Sequence, residues 1–329
     1  MEKVWGGRRL TDAVGIDLPG TGPIGETWEI VDRADHASVV AHGDWAGATL
    51  PQLIRDHRAE ILGRTRTTPE GRFPLLVKFL DASEPLSMQV HPPSGTRGAL
   101  GEGKSEAWYL LDARPDSRLW LGLHPHVTRE ALASAANTRD VLEHVIAWPA
   151  RRGEITYVPG GTVHAIGGGI ALLEVQENAD TTHRFYDWDR VGLDGQPRPV
   201  HVDAALASTT FGEPTQGPRL PPLETSAPGV RRSVLVDAPS FGMELHELDV
   251  AHAFDTHDLA GIYVVLDGAV RFESHAGLHA PVRLVRGDTW LIPAAARAHT
   301  LTPEHVDPRT RRGSSDSSGS RILRVTTRA

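Results

Sequence analysis

The segment at residues 86–93, LSMQVHPP, places two polar residues in what otherwise resembles a buried β-strand. Successive side chains of a strand alternate between its faces, so Gln89 and His91 point to one face while Met88 and Val90 point to the other. A polar side chain inside a sheet requires a partner, because its desolvation costs free energy. A metal ion is one such partner, and another polar side chain is a second.

Two further residues have the chemistry of metal ligands. Glu106 opens the predicted strand EAWYLLDA, and His164 follows the turn PGG. Two imidazoles, one carboxylate and one amide oxygen suit a borderline divalent ion such as zinc or iron(II). The chain contains 17 histidines, however, so neighbouring pairs arise by chance. Spacing alone therefore leaves open whether His91 and His164 bind a metal or are ordinary histidines.

The stretch HPHVTRE also has metal-ligand spacing, in His124, His126 and Glu130. A proline separates the two histidines, and Thr128 is well placed to cap a helix that starts immediately after it. We therefore interpret this stretch as a helix start rather than a metal site.

Composition excludes several classes of function. The 329 residues include no cysteine, which removes disulfides, thiolate catalysis and cysteine-based metal sites. The formal net charge of −8 gives no bulk attraction to nucleic acid or to an anionic membrane. The N-terminus has no apolar core of a signal peptide, and no apolar run is long enough to span a bilayer. We expect a soluble, cytoplasmic protein, either a monomer or a homodimer.

A weak internal repeat gives the fold class. GEITYVPGGTVH at 153–164 matches GDTWLIPAAARAH at 287–299, and EAWYLLDA at 106–113 matches GIYVVLDGAV at 261–270. Both copies keep the same order and a similar apolar character. The repeat predicts a mainly β protein built from two antiparallel jelly-roll β-barrels.

Helices are few, and two changes in composition suggest the domain limits. Helical spacing of apolar residues predicts helices at about 49–62, with Thr49 as N-cap, and at about 128–145, as one helix or two short ones. A stretch rich in Pro and Gly predicts a linker, and a run of Ser and Gly predicts a disordered loop. The predicted organisation is an N-terminal domain at 1–210, a linker at 211–230 and a C-terminal domain at 231–329 with a disordered loop near 311–320.

Six segments of the first 205 residues follow one another in the order seen in a known enzyme family. They are WGGRRL, IGETWEI, FPLLVKFLDASEPLSMQVHP, GKSEAWYLLDA, YVPGGTVHAIGGG and LLEVQENADTTHRFYDWDR. The chain resembles the short-form type I mannose-6-phosphate isomerases, zinc enzymes of the cupin superfamily. The resemblance implies a catalytic N-terminal cupin domain with one zinc ion. It also implies interconversion of mannose 6-phosphate and fructose 6-phosphate through a cis-enediol.

The resemblance further implies roles for nine residues. The implied zinc ligands are Gln89, His91, Glu106 and His164; the implied catalytic residues are Arg184, Lys104 and Glu174; and the implied substrate-binding residues are Lys78 and Asp180. The general base stays open between Glu174, Lys104 and a zinc-bound water, and Lys104 qualifies only if its pKa is depressed. Arg184 has the donors for an enediolate oxygen or a phosphate, and Lys78 is the other candidate for the phosphate.

The second barrel departs from the ligand pattern. Gly261 stands where Glu106 stands in the first copy, and Asp255, His257 and His299 are the possible ligands that remain. We therefore expect a degenerate cupin domain without a metal. Two alternatives to the isomerase stay open from the sequence. An iron(II) cupin oxygenase uses a similar set of two histidines and one carboxylate, and a non-catalytic cupin could bind the same sugar phosphates.

Overall fold

The computed structural model describes residues 1–277, 280–304 and 319–329. The predicted disordered loop near 311–320 falls mostly on residues 311–318, which lie outside the described residues. Within the described part the protein is mainly β. The strands are β1 Glu2–Gly7, β2 Glu26–Ile30, β3 Leu75–Ala82, β4 Met88–Val90, β5 Glu106–Ala113, β6 Arg118–Leu123, β7 Val145–Pro149, β8 Ile155–Val158, β9 His164–Ile166, β10 Ile170–Glu177, β11 His183–Tyr186, β12 Glu224–Ala227, β13 Val230–Asp237, β14 Gly242–Leu248, β15 His252–Asp255, β16 Gly261–Asp267, β17 Ala269–Ser274, β18 Val282–Val285, β19 Thr289–Ile292, β20 Ala298–Glu304 and β21 Ser320–Thr326.

The helices are short. The α-helices are α1 Leu10–Val14, α2 Leu50–Asp56, α3 Arg58–Leu62, α4 Arg129–Ala135 and α5 Val202–Ser208, and the 3₁₀-helices are Gly98–Leu100, Arg139–His144 and Ala294–Ala296. None of the helices in the described ranges is long and apolar enough to cross a membrane.

The first compact unit contains two five-stranded sheets. It comprises Met1–Thr11, Asp17–Trp28 and Leu76–Leu220. The strand order is β2-β3-β10-β5-β8 in one sheet and β11-β4-β9-β6-β7 in the other. One buried core joins Trp108 of the first sheet to Leu121 of the second. Apolar side chains of both sheets therefore point inward, as in a jelly-roll barrel.

The second compact unit repeats this plan. It comprises Asp12–Ile16, Glu29–Leu75 and Pro221–Ala329, with strand orders β12-β13-β14-β21-β16-β19 and β15-β20-β17-β18. Phe254 of the smaller sheet and Tyr263 of the larger belong to one buried core. The predicted fold class, mainly β with two jelly-roll barrels, is confirmed, whereas the predicted linker at 211–230 stays a prediction.

Strand register relates the two barrels residue by residue. Gln89 lies opposite His164 in the first barrel, and Phe254 lies opposite His299 in the second. Phe254 therefore takes the position of Gln89. Because the side chains of a strand alternate, the position of His91 falls two residues further on, at Thr256 rather than at a histidine.

The two predicted helical segments each divide into two short helices. Thr49 accepts a hydrogen bond from the backbone N–H of Gln52 and caps α2, as predicted. The helix stops because His57 has φ −134° and ψ 39°, outside the helical region, and its ring stacks on Trp45 at 4.6 Å. Segment 128–145 forms α4 and the 3₁₀-helix Arg139–His144, the second of the two forms expected.

Candidate metal centre and active site

Both sheets of the first barrel contribute to the candidate site. Gln89 is the middle residue of β4, and His91 follows the end of that strand. His164 opens β9 directly opposite Gln89. Glu106 opens β5 in the other sheet. The strand alternation inferred from LSMQVHPP thus sets Gln89 and His91 on the inner face of the barrel, and the sheet pairing adds His164 beside them.

Three of the predicted ligands converge closely. The Nε2 atoms of His91 and His164 each lie 3.4 Å from a different oxygen of Glu106. The candidate ligand atoms of the three residues lie within 4.8 Å of one another, and each side chain is only 1% exposed. In the described part of the chain, this is the one group of three histidine, aspartate or glutamate residues with the geometry to hold a metal ion.

Hydrogen bonds fix both imidazoles in the orientation that a metal ligand needs. Nδ1 of His91 donates to the carbonyl oxygen of Thr181 at 2.7 Å, and Nδ1 of His164 donates to that of Thr162 at 2.8 Å. The proton of each neutral ring therefore resides on Nδ1, and Nε2 presents its lone pair to the site. Burial lowers the pKa of both histidines, so both are neutral near pH 7.

The amide of Gln89 lies against the same two nitrogens. Its Nε2 is 3.5 Å from Nε2 of His91 and 3.3 Å from Nε2 of His164, while Oε1 accepts a hydrogen bond from Ser87 Oγ at 2.9 Å. A half-turn of the amide exchanges its two ends, and the Ser87 hydroxyl can accept from the NH₂ group as well as donate to the oxygen. The predicted amide ligand is thus within reach of the site, through its oxygen.

Lys104 adds a cation at the edge of the ligand group. Its Nζ lies 2.7 Å from Oε2 of Glu106 and 3.2 Å from Nε2 of His91. Burial lowers the pKa of Lys104, but the carboxylates of Glu106 and Glu174 outweigh it and raise the pKa above its ordinary value. Burial also acts on Glu106, where it raises the pKa. The charge of Lys104 and the two imidazoles outweigh burial there and lower the pKa of Glu106 to about 2. Lys104 therefore keeps its proton, which is the opposite of what a lysine base needs.

Glu174 on β10 has one oxygen that is buried and not hydrogen-bonded. Its Oε2 accepts from Nε1 of Trp108 at 3.2 Å. Its Oε1 has no hydrogen-bond partner among the described residues, although Nζ of Lys78 and Nζ of Lys104 lie 3.6 and 3.8 Å away. Burial and the nearby charge of Glu106 raise the pKa of Glu174. This combination is typical of an acid–base catalyst.

Arg184 on β11 faces the ligand group from the neighbouring strand. It pairs with Gln89, and residues directly opposite each other on paired strands share a face of the sheet. Its Nε is buried and lacks a hydrogen-bond partner within the described ranges. The charge of the exposed residue Asp180 acts on both Arg184 and Lys104. The structure thus brings Arg184 and Asp180 near the other predicted site residues.

The sequence did not single out the residues that hold Lys78. Lys78 on β3 lies between the carboxylates of Glu174 and Glu26, with Nζ 4.0 Å from Oε2 of Glu26. Its ammonium lies 5.0 Å from the ring centroid of Trp28, and Nε1 of Trp28 donates to the same oxygen of Glu26 at 2.7 Å. Glu26 and Trp28 sit two apart in IGETWEI, the spacing that gave Gln89 and His91 a shared face.

The remaining candidates do not form metal sites in the described structure. Asp255 and His257 have side chains that are 41% and 76% exposed, whereas His299 is buried and pairs with the hydroxyl of Tyr263 at 2.9 Å. The three residues do not converge. In HPHVTRE, Thr128 caps α4 by accepting from a backbone N–H, as its helical interpretation predicts.

Comparison with known proteins agrees with the fold. Residues 1–109 match the family model described as phosphomannose isomerase type I, catalytic domain. A mannose-6-phosphate isomerase of Streptococcus mutans is 36% identical over 244 residues, 73% of this chain and 74% of that protein. A probable mannose-6-phosphate isomerase of Bacillus subtilis, GmuF, is 34% identical over 297 residues, 84% of this chain and 89% of that protein. A crystal structure of the mannose 6-phosphate isomerase from Bacillus subtilis superposes with a TM-score of 0.84 at 26% identity, covering 99% of this chain and 96% of that one.

Paired jelly-roll barrels, with a ligand group inside the first, define a protein of the cupin class. The extent of the similarity defines the family more narrowly. The chain belongs to the type I mannose-6-phosphate isomerases, a family of enzymes. The resemblance drawn from the six sequence segments is confirmed.

Proposed function

We propose that this protein interconverts mannose 6-phosphate and fructose 6-phosphate, using a zinc ion and a cis-enediol intermediate. The observation that carries the proposal is the buried His91, Glu106 and His164 group with the unbonded oxygen of Glu174 nearby. The reaction moves a proton from C2 of the open-chain aldose to C1, so it needs a base and a means of stabilising negative charge on the substrate oxygens. The first barrel offers groups for both needs.

The donor set fits zinc. Two neutral imidazole nitrogens and one carboxylate leave a fourth position for the Gln89 oxygen or for substrate, as in catalytic zinc sites. Glu106 Oε2 is buried and lies 2.7 Å from the ammonium of Lys104, so its surroundings already favour a cation. Gln89, His91, Glu106 and His164 would hold the ion. A zinc ion bound there would polarise the carbonyl of the substrate as a Lewis acid.

Glu174 is our choice for the acid–base group. Its raised pKa follows from burial and from Glu106, and it keeps the proton affinity that a base near neutral pH requires. Its Oε1 has free lone pairs, because the two neighbouring ammonium groups remain beyond hydrogen-bonding distance. Lys104 instead acts as a fixed positive charge, and the general base is therefore assigned to the carboxylate.

Arg184 and Lys104 would stabilise the enediolate charge, while Lys78 and Asp180 would contact the substrate. Arginine presents planar donors that match two neighbouring oxygens, which suits an enediolate better than a single oxygen. Lys78 is a buried cation, available to a phosphate or hydroxyl oxygen of the substrate. These roles follow from the resemblance and from the charges near the ligand group.

Metal removal tests the proposal as a whole. We expect the purified protein to isomerise mannose 6-phosphate, to lose nearly all activity after complete chelation, and to regain it when zinc is returned. The measurement is a coupled assay for fructose 6-phosphate together with metal analysis of the same sample. Full activity without metal would overturn the zinc mechanism. Stoichiometric iron with oxygen consumption, and no isomerisation, would favour the cupin oxygenase instead.

Arg184→Lys tests the role of the planar guanidinium. The substitution keeps the positive charge but removes the fork of donors, so we expect kcat to fall by about 10²-fold to 10³-fold, as when an oxyanion donor is lost. KM should change far less. Arg129→Lys is the matched control, because Arg129 is exposed and donates a hydrogen bond to the backbone carbonyl of Leu206. A wild-type kcat for Arg184→Lys would remove this role.

A further inference from the structure

Six charged side chains form a row that leads from the surface of the first unit to the ligand group. We call it the charge ladder. In order, its contacts are Lys3 to Glu26 at 3.5 Å, Glu26 to Lys78 at 4.0 Å, Lys78 to Glu174 at 3.6 Å, Glu174 to Lys104 at 3.8 Å and Lys104 to Glu106 at 2.7 Å. Charges alternate along the whole ladder, so its three lysines balance its three glutamates.

The ladder is buried beyond its first member. The side chain of Lys3 is 33% exposed, whereas the five members that follow are buried. Buried charges are costly unless they are compensated, so each interior lysine depends on the carboxylates on both of its sides. If one carboxylate is removed, the adjacent lysine is attracted only towards the carboxylate on its other side.

We propose that Glu26 is a positioning residue that keeps the ammonium of Lys78 from bonding to Oε1 of Glu174. The inference rests on the proposed function, in which that oxygen is the base. Nζ of Lys78 lies at similar distances from Glu26 Oε2 and Glu174 Oε1, 4.0 and 3.6 Å. Electrostatic attraction varies inversely with distance, so the two carboxylates pull on the ammonium with comparable strength.

Trp28 holds the carboxylate of Glu26 in place. Its Nε1 donates to Oε2 of Glu26 at 2.7 Å, which fixes the carboxylate. Its ring lies 5.0 Å from the Lys78 ammonium, a favourable cation–π distance. Lys104 is held off in the same manner, because its short contact of 2.7 Å is to Glu106 rather than to Glu174. Both ammonium groups thus have partners elsewhere, and Glu174 keeps an oxygen without a hydrogen bond.

Glu26→Gln removes the charge and keeps the shape. The amide oxygen can still accept from Trp28, but of the two carboxylates beside Lys78 only that of Glu174 then remains to attract it. We expect Nζ of Lys78 to move within hydrogen-bonding distance of Glu174 Oε1, about 3 Å, and so to occupy the lone pair that accepts the substrate proton. Accordingly kcat should fall by about tenfold or more. KM for mannose 6-phosphate should change by less than about threefold, because the ammonium of Lys78 moves by less than about 1 Å and can still contact the substrate.

Two measurements distinguish the position of Lys78 from its effect on catalysis. A crystal structure of Glu26→Gln gives the distance between Lys78 and Glu174 whether or not the protein is active, and steady-state kinetics give kcat and KM. Glu26→Asp, which restores the charge, should recover most of kcat. Glu154→Gln is the matched control: Glu26 and Glu154 are each 9% exposed, and Glu154 caps the backbone N–H of Arg151 away from the ladder.

Each outcome decides the inference. A shortened contact with reduced kcat in Glu26→Gln, and unchanged kinetics in Glu154→Gln, supports it. An unchanged distance overturns the positioning role, and a shortened distance with wild-type kcat overturns its effect on Glu174. Equal losses in both glutamine variants would indicate a general loss of structure and also overturn it. Wild-type protein that carries zinc but does not isomerise mannose 6-phosphate would refute the proposed function, while the crystal structure would still test the positioning.

Discussion

Replacing Glu106 with glutamine is expected to weaken metal binding by more than about 100-fold, the upper end of the loss seen when only an outer partner of a metal ligand is removed. Glu106 supplies the negative charge of the candidate ligand group, and its two oxygens each lie 3.4 Å from one of the imidazoles. A neutral amide keeps the shape but loses most of the attraction for a divalent ion. Metal content per chain and competition with a coloured chelator measure the effect.

The same substitution removes the nearest partner of a buried lysine. Nζ of Lys104 lies 2.7 Å from Oε2 of Glu106, and breaking a buried ion pair costs about 3–5 kcal/mol. We therefore expect a lower midpoint of thermal unfolding as well. Glu143→Gln is a suitable control, because Glu143 is exposed in the same unit. Stoichiometric zinc with wild-type affinity in Glu106→Gln would contradict the assigned ligand set.

The alternation of side chains in a strand made the core of the site predictable. Gln89 and His91 are two residues apart, so their shared face followed from the sequence once a strand was assumed. Glu106 opens the segment EAWYLLDA, and His164 ends the segment GEITYVPGGTVH. These two segments make up the first copy of the internal repeat. What the residues could not decide was whether the four side chains meet, because that depends on how β4, β9 and β5 pair and face one another. The family resemblance supplied that information.

The second barrel shows how a register error of one residue misleads. The sequence suggested Asp255 and His257 as remnants of a ligand set, but Phe254 is the residue that pairs with His299. A shift of one residue along a strand turns every side chain to the other face. Sequence spacing gave no way to fix that register, which is set by the pairing of β15 with β20.

The charge interactions of the site also could not be predicted without the three-dimensional structure. From the sequence, Lys104 was a possible base if its pKa were depressed, and burial does act in that direction. Two carboxylates reverse the sign: that of Glu106, two residues along the chain, and that of Glu174, from the distant strand β10. Similarly, nothing in IGETWEI indicates that Glu26 pairs with Lys78 on the adjacent strand. The contacts of Glu174 with Lys104 and of Glu26 with Lys78 join residues far apart in the chain, and spacing does not reveal them.

Glu174→Gln is expected to lower kcat by about 10²-fold to 10⁴-fold, the range typical for loss of a general base. The amide keeps the size of the side chain, and its oxygen can still accept from Nε1 of Trp108. It cannot, however, take the proton from C2. Steady-state assays give kcat, and NMR in deuterated water measures exchange of the C2 hydrogen, which should slow in parallel.

A measurement of metal content distinguishes the loss of activity in Glu174→Gln from the loss of activity in Glu106→Gln. Glu174 is not in the candidate ligand group, so Glu174→Gln should retain one zinc ion per chain and bind substrate with a similar KM, while Glu106→Gln should lose the ion. Rapid C2 exchange in Glu174→Gln would move the base to another group. Since Lys104 keeps its proton beside Glu106, a metal-bound water would then be the base to test.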